Sequence, residues 1–505
     1  MPSLIKTYAL WLAAIFAGTL VTLSLQPFGY WPLAIISSGI LFLLVAECGY
    51  KKTLLLSLLF SCGMFFSGAS WVYVSIHEFG NATIPFAALL TALFCLLLAI
   101  CNALILGSFA AIKTKHLAIN ILVFAAIATS SEALRSWLFT GFPWLFVGYS
   151  QTGLILSGIA PLFGIYGLSF VIYASGAACA LCLTRKFNTK SKLITLLATA
   201  LIWAGSFALQ QFNWSQTLQE PLRASLIQAN ISQHDKWRSE QFRPTLNLYA
   251  EMSNKHWANN NLIVWPEAAI PAYLHNVRSY IEDINETALK HNSALITGIP
   301  TAKSSASSEL FSYNSVVGVG TANGTYHKQH LVPFGEYIPF YSLFGKLMVF
   351  FDLPLSRMQA GDPDQPSITV NDWRTRPLIC YEMVYPGLVA KAAMQSDVLI
   401  TLSNDSWFGK SLGPLQHLQM AQMRAIENAR YVLRSTGNGV SAIINEKGKL
   451  VAKSNQFKRE VLSGNFKLMQ GLTPWSQYGY WLVHWLYGLP LCLRTAYLLF
   501  VHFRQ

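Results

Sequence analysis

Before residue 215 the chain carries seven apolar stretches, roughly 8–25, 31–47, 54–76, 85–112, 117–137, 155–184 and 193–211, and an eighth lies near 479–500. A helix needs about 20 apolar residues to cross a bilayer, so these stretches commit the first 214 residues to a membrane. Only 12% of the 505 residues are charged, against about 25% in soluble domains. Stretch 155–184 holds Pro161, Gly164 and Gly167, which can divide it into a re-entrant piece and a span. The first run follows Lys6, and Gln26-Pro27-Phe28-Gly29-Tyr30-Trp31 behind it offers no small-x-small cleavage site. It is expected to be a retained helix.

The connections fix an orientation. Lys6, Lys51, Lys52, Lys113, Lys115, Arg185, Lys186, Lys190 and Lys192 fall on one side, whereas connections 26–30, 77–84 and 138–154 contain no Lys or Arg. Basic residues stay cytoplasmic. The pattern predicts a cytoplasmic N-terminus, residues 215–475 on the opposite face, and a last helix in 476–505 returning Arg504 to the cytoplasm. It also accounts for much of the net charge of +13 without nucleic acid.

Residues 215–475 have a different texture. Short β-branched runs at 223–231, 262–265, 294–298, 315–320, 378–381 and 398–403 alternate with helical stretches at 238–256, 278–291, 386–395 and 415–434. A hairpin is expected at 440–453, turning at Glu446-Lys447-Gly448-Lys449, and the Ser/Ala stretch 302–308 is expected to be a surface loop. The alternation implies an α/β layered domain with helices outside the sheets.

Seven of the eight cysteines lie in or beside apolar stretches, and Cys380 alone stands in the polar middle. In an oxidising compartment a lone thiol is either buried and inert or kept for reactivity. Two further segments favour reactivity: Ile263-Val264-Trp265-Pro266-Glu267, a strand ending on a carboxylate, and Lys328 through Glu336, a lysine and a glutamate about a Pro-Phe-Gly turn. A carboxylate can take a thiol proton as general base. A lysine, with the backbone N–H beside the cysteine, can stabilise the oxyanion formed when sulfur attacks a carbonyl. Glu267, Lys328 and Cys380 therefore make a base, an electrostatic stabiliser and a nucleophile.

Trp-Pro-Glu, Lys-x-x-Leu-Val-Pro-Phe-Gly-Glu and Ile-Cys-Tyr-Glu, in that order, resemble the Glu-Lys-Cys triad of the nitrilase superfamily. With the membrane frame, nearly the whole chain resembles its membrane-embedded branch, the bacterial apolipoprotein N-acyltransferases. The resemblance extends to Trp71–Ile76, Thr140–Trp144, Ser403–Gly409 and Arg434–Gly439, with Gly437-Asn438-Gly439 where the family often has Asn-Asn-Gly. It implies about eight transmembrane helices plus an exported nitrilase-like α-β-β-α sandwich, in a bacterial inner membrane with the sandwich in the periplasm. It implies that a phospholipid, typically phosphatidylethanolamine, gives its sn-1 acyl chain to Cys380, and that the α-amino group of a diacylglyceryl-cysteine on an apolipoprotein collects it. No cofactor and no metal are implied, and the protein is expected to be a monomer. Glu336 would hold Lys328 or Glu267, while Tyr381 and Glu382 would shape the pocket. Trp237, Asn314, Trp144 and Trp407 are candidates for contacting substrate.

Other readings stand beside these. The triad also serves an amidase with water as acceptor, and a scaffold or transporter could carry a binding-only domain. His327 and His330 lack a third metal ligand. Glu132 and Arg135, in the fifth stretch, are either functional or an i, i+3 pair. Trp71–Tyr73 and Phe142–Trp144 are either lips that guide substrate or an interfacial aromatic belt. Trp237 and Trp407–Gly409 are either mobile lids or ordinary packing.

Overall fold

The computed structural model describes residues 2–184, 188–304, 310–338, 358–488, 491–492 and 495–496. The chain divides into two compact units. One comprises Met1–Tyr73, Thr83–Asn213 and Tyr478–Gln505; the other comprises Val74–Ala82 and Trp214–Gln477.

The first unit is helical. Among the described residues, five helices are long and apolar enough to cross a membrane: Ile5–Ser24, Ile84–Ile112, Leu117–Arg135, Ile155–Leu183 and Thr189–Gln210. The stretch expected at 54–76 is Tyr50–Gly68 followed by Val72–Phe79 after a 54° bend, and the pair counts as a sixth if taken together. Pro32–Val45 is apolar but has only 14 residues. In the stretch 155–184, a 3-10 turn at Ile155–Ile159 precedes the helix Ala160–Leu183, which is interrupted at Gly164 with φ 60°. Of the expected last span, residues 489–490, 493–494 and 497–500 lie outside the described residues; Tyr480–Val483 and His484–Gly488 are helical.

Close packing explains two glycines. A Cβ on Gly18 would lie 1.9 Å from the Phe60 carbonyl oxygen, and one on Gly63 would lie 2.1 Å from that of Ile15. The helices Pro2–Ser24 and Tyr50–Gly68 touch backbone to backbone there, as small residues permit in lipid. Glu132 and Arg135 are buried in this unit. Glu132 accepts from the Val147 N–H and the Tyr173 hydroxyl, both at 3.0 Å. Arg135 donates to Asn102 Oδ1 at 3.2 Å and to the Trp144 carbonyl at 3.1 Å, and its guanidinium lies 5.1 Å from the Phe65 and Phe146 ring centres. Both residues thus pin the non-helical segment that begins at Gly141.

The second unit is a two-sheet sandwich. Its strands are β1 (Leu222–Gln228), β2 (Leu262–Val264), β3 (Ala294–Gly298), β4 (Ser315–Gly320), β5 (Thr325–His327), β6 (Leu378–Ile379), β7 (Leu399–Ser403), β8 (Val432–Thr436), β9 (Ala442–Ile444), β10 (Leu450–Lys453) and β11 (Glu460–Phe466). One sheet has the order β11-β1-β2-β3-β4-β5, the other β6-β7-β8-β9-β10. β1, β2 and β3 run parallel, as do β6, β7 and β8.

The period of two along each strand makes the layers. Leu226, Leu262, Val264, Ile296, Ile400, Leu402, Leu433 and Ile443 form the core shared by both sheets. Ile227, Ile263 and Leu295 turn outward and pack with Leu246, Tyr249, Ile284 and Ala288 of helices Ser239–Asn254 and Arg278–Lys290. Leu399, Val432 and Ile444 turn outward on the other sheet and pack with Val389, Ala392, Leu418 and Ala421 of helices Pro386–Ala393 and Gly413–Asn428. The result is the expected α-β-β-α order.

Several boundaries differ from expectation. The helix expected over 415–434 stops at Asn428, because Ala429 turns left-handed at φ 47° and the Arg430 N–H closes back on the Ala425 carbonyl at 3.2 Å. Residues 432–434 open β8 instead. The loop expected at 302–308 begins as a strand, Thr301–Ser304, paired with Leu310–Tyr313, and 305–309 lie outside the described residues. β11 has a mostly half-buried sequence and pairs as an edge strand with β1.

The segment Val74–Ala82 belongs to this unit although it falls between membrane helices in sequence. Ser75 Oγ donates to the Trp407 carbonyl at 2.7 Å. The Phe79 ring stacks on His234 and meets Trp407 edge-on, each at 5.4 Å.

Candidate active site

Three strand ends supply the central side chains. β2 runs out at Val264, and Trp265-Pro266 carries the chain to Glu267. Ala268 then takes φ 45°, and its neighbour Ala269 donates to the Gly298 carbonyl at 2.9 Å. Gly298 must be bare, because a Cβ would lie 2.6 Å from the Pro266 carbonyl oxygen and 2.7 Å from Glu267 Cα. β5 delivers Lys328, whose N–H donates to the Asn314 carbonyl at 2.8 Å. β6 delivers Cys380 at φ 51°, a strained conformation for a residue with a Cβ. It opens the 3-10 turn Cys380–Val384.

Lys328 Nζ lies 2.9 Å from Glu336 and 3.8 Å from Glu267 Oε1, and its side chain is only 1% exposed. Asn314 Nδ2 donates to Glu267 Oε1 at 2.7 Å and to Glu336 Oε1 at 2.9 Å. The second oxygen of Glu267 accepts the Asn404 N–H at 2.8 Å, and that of Glu336 accepts the Val332 N–H at 2.8 Å. Burial disfavours the Lys328 ammonium, but Glu336, Glu267 and Cys380 outweigh it and hold it above the usual lysine range. Burial and then Glu267 push the Cys380 thiol up to about 12, against Lys328. The raised value favours a thiol over a thiolate at rest. Lys328 lies beside Glu267, and Glu382 bonds the main chain next to both Lys328 and Cys380, so the three strand ends are neighbours.

Glu382 is fully buried and works at one remove. Its Oε1 accepts from the Tyr326 hydroxyl at 2.9 Å and from the Gln329 and His330 N–H groups at 2.7 and 3.1 Å. Its Oε2 accepts from the Ile379 N–H at 2.7 Å. It clamps the strand end that carries Lys328 to the one that carries Cys380. Tyr381 meets Tyr385 edge-on at 5.2 Å, with the His330 ring 6.4 Å away.

The remaining expectations divide. Asn314, expected to contact substrate, instead spends its amide on two carboxylates. Trp144 is wholly buried in the helical unit between Trp71 and Phe142, at 5.0 and 5.9 Å, so it has no face to offer a substrate. Trp237 and Trp407 are 54% and 38% exposed. His327 Nδ1 sits 2.8 Å from Ser315 Oγ, and the His330 ring centre is 3.9 Å from that of Tyr385.

Sequence reasoning missed Lys236 and the Asn404 N–H. Lys236 is buried and donates to the Glu267 carbonyl at 3.2 Å; burial lowers its pKa to about 8, with Glu267 opposing. Its place beside Trp237 was the available signal. Asn404 acts through its main chain, which no residue type announces.

Comparison with known proteins agrees with this construction. The apolipoprotein N-acyltransferase N-terminal domain matches residues 17–178, and the carbon-nitrogen hydrolase family matches 223–471. An apolipoprotein N-acyltransferase of Azotobacter vinelandii is 41% identical over 473 residues, covering 93% of this chain and 92% of that one. One from Pseudomonas aeruginosa is 42% identical over 95% of this chain and 94% of its own. The chain belongs to the apolipoprotein N-acyltransferase family. A more distant member, from Coxiella burnetii, is still 38% identical over 93% of this chain. Among solved structures, a CN-hydrolase superfamily protein from Xanthomonas campestris aligns at 17% identity and TM-score 0.36, over 49% of this chain and 91% of that one. The family assignment rests on the sequence matches.

Proposed function

We propose that this N-acyltransferase of lipoprotein maturation works by a ping-pong thioester route with Glu267, Lys328 and Cys380 as its catalytic residues. Glu267 takes the Cys380 proton as the sulfur attacks the sn-1 ester carbonyl of a phospholipid such as phosphatidylethanolamine. Lys328 stabilises the oxyanion, the proton passes to the departing lysophospholipid oxygen, and the acyl chain remains on sulfur. The α-amino group of a diacylglyceryl-cysteine then attacks the thioester and gives its proton to Glu267. Glu336 and Asn314 position Lys328 and Glu267, and Glu382 joins the two strand ends. Trp237 and Trp407, the exposed rings, contact the acyl substrates. Scarcity of water around the buried Lys328 and Glu382 favours aminolysis over hydrolysis.

The observation that carries this reading is one buried ammonium placed within 4 Å of two carboxylates, on a strand end that Glu382 ties to the one bearing Cys380. We take the protein to act as an inner-membrane monomer; the charge asymmetry of the connections supports residues 215–475 in the periplasm and both termini in the cytoplasm.

Incubation with phospholipid followed by peptide mass spectrometry tests the reading. An acyl adduct on Cys380 that an amine acceptor discharges is expected. Rapid release of free fatty acid would favour an amidase-like hydrolase, absence of any adduct or transfer in the unsubstituted protein would favour a binding-only domain, and full acyl transfer by Cys380→Ala would remove Cys380 as the acyl carrier and end the proposal.

A further inference from the structure

Lys236 stands beside the base, and the triad chemistry gives it no task. It closes the short helix Gln233–Lys236, and its ammonium donates to the Glu267 main-chain carbonyl at 3.2 Å. The same helix is tied to a second holder of the base. Asn404, whose N–H bonds Glu267 Oε2, donates through Nδ2 to Gln233 Oε1 at 2.8 Å. One short element is thus joined to Glu267 by two routes, and the exposed Trp237 ring follows it directly.

An ammonium has three protons to donate. Among the described residues, that of Lys236 has one hydrogen-bond acceptor and forms no ion pair. The residue is 8% exposed, too little for bulk water to satisfy the remaining protons freely. A buried cation with unspent protons needs an acceptor that the folded chain does not supply.

The charges around it limit what that acceptor can be. Glu267 and Glu336 bracket the single ammonium of Lys328, and this excess of negative charge repels an anionic substrate. Lys236 cancels the excess, and its pKa of about 8 leaves it mostly protonated at neutral pH. Substrate chemistry supplies the reason for the extra cation. Donor and acceptor both present acyl esters of glycerol, so the ester alone does not tell Cys380 which lipid to attack. The donor carries a phosphodiester a few bonds from its sn-1 ester, where the diacylglyceryl-cysteine has a neutral thioether.

We propose that Lys236 is the specificity-determining residue that recognises the donor's phosphodiester through a charge-assisted hydrogen bond, and so commits the first half of the reaction to a phospholipid. The inference rests on the reading of Cys380 as acyl carrier. No covalent bond to Lys236 forms or breaks. Its ammonium keeps its protons, the phosphate departs with the lysophospholipid, and the acceptor reacts without that contact.

The test measures acyl-thioester formation on Cys380 of the full-length protein with phosphatidylethanolamine and, separately, with diacylglycerol, which has the same ester and no phosphate. Lys236→Gln keeps an N–H for the Glu267 carbonyl and removes the charge. It is expected to lower kcat/KM for the phospholipid about tenfold to a hundredfold, the weight of a hydrogen bond to a charged group, chiefly through KM. Loading from diacylglycerol, and discharge of a preformed thioester by a diacylglyceryl-cysteine peptide, are expected to proceed as in the unsubstituted protein. Lys236→Arg, which keeps the charge, is expected to restore most of the phospholipid rate. If Lys236→Gln does not fold, Lys236→Met decides by the same comparison. Where diacylglycerol loads too slowly to measure, phospholipid loading against thioester discharge decides, because Glu267 serves both halves. An equal loss in loading and discharge would mean that Lys236 only holds Glu267 in place and would overturn the inference, as would a phospholipid rate untouched by the lost charge. Absence of any acyl adduct on Cys380 in the unsubstituted protein would instead remove the acyl-carrier reading.

Discussion

Arg135 and Lys328 are both buried cations, and the two units neutralise them differently. In the helical unit Arg135 spreads its charge over an amide oxygen, a carbonyl and two aromatic faces, while Glu132 takes an N–H and a phenol. In the catalytic unit Lys328 stands directly against two carboxylates. The first arrangement places its hydrogen bonds on neutral groups and fixes a bent segment of backbone, although the two opposite charges sit one helical turn apart. The second brackets one ammonium with two carboxylates. Direct contact between charges does not by itself mark a site, since Arg424 and Glu427 also meet at 3.1 Å in full burial; it is the unequal number of acids and bases around Lys328 that sets it apart.

The sharpest way to break this contrast is Lys328→Met, which leaves two buried carboxylates facing each other. It should cost about 3–5 kcal/mol of stability in the catalytic unit, the usual penalty for orphaning a buried charge. It should also lower acyl transfer by roughly 10²–10³, the scale of losing an oxyanion donor; thermal unfolding and single-turnover acylation measure the two effects. Near-normal values would mean that the cation is incidental.

Next comes Lys236, buried with no carboxylate in direct contact. Its folded pKa of about 8 lies below the ordinary 10.5. Between these values the unfolded chain binds a proton that the folded chain does not, so stability should rise with pH across that window, by about 3 kcal/mol. Below pH 8 both states are protonated and the cost of the buried charge is fully present. Lys236→Met should flatten the profile in a pH series of unfolding midpoints.

Asn314→Ala removes the amide shared by Glu267 and Glu336. A loss of about 2 kcal/mol is expected, typical of a hydrogen bond to a charged group, with acyl-thioester formation falling more than alkylation of Cys380. The smallest effect belongs to the helical unit. Glu132→Gln retains an oxygen for the Val147 N–H and the Tyr173 hydroxyl, and should cost about 1 kcal/mol with transfer nearly intact. A collapse of activity there would erase the distinction between the two clusters.

What the sequence made legible follows the same division. The sandwich could be read because Leu262-Ile263-Val264 and its counterparts are short, β-branched and separated by amphipathic stretches. Glu267 and Cys380 could be singled out because each sits at the end of such a run, and Lys328 because it stands with Glu336 about a Pro-Phe-Gly turn. The role of Asn314 and the Asn404 N–H could not. They depend on an amide and a main-chain N–H brought to Glu267 by pairing between distant strands, and nothing in a neighbouring residue encodes that distance. The helix expected through 434 failed for a local reason: Tyr431-Val432-Leu433 continues the apolar pattern, and only the left-handed Ala429 divides helix from strand. In the helical unit, spacing left Glu132 and Arg135 as either functional residues or an i, i+3 pair; their charges do act on each other, while their hydrogen bonds go to neutral groups supplied by other elements.

The turn Val74–Ala82 has a consequence for anyone who would cut this protein in two. The sandwich is assembled from stretches separated by more than a hundred residues of helices, and the shorter stretch supplies a hydroxyl and a ring to the neighbourhood of Trp407. A fragment beginning at Trp214 would have every described strand, with Glu267, Lys328 and Cys380, and still lack a piece of its own surface. The natural scissors point at the end of the last N-terminal helix is therefore a false seam, and adding back a synthetic peptide that spans Ser75 to Phe79 is the direct way to show it.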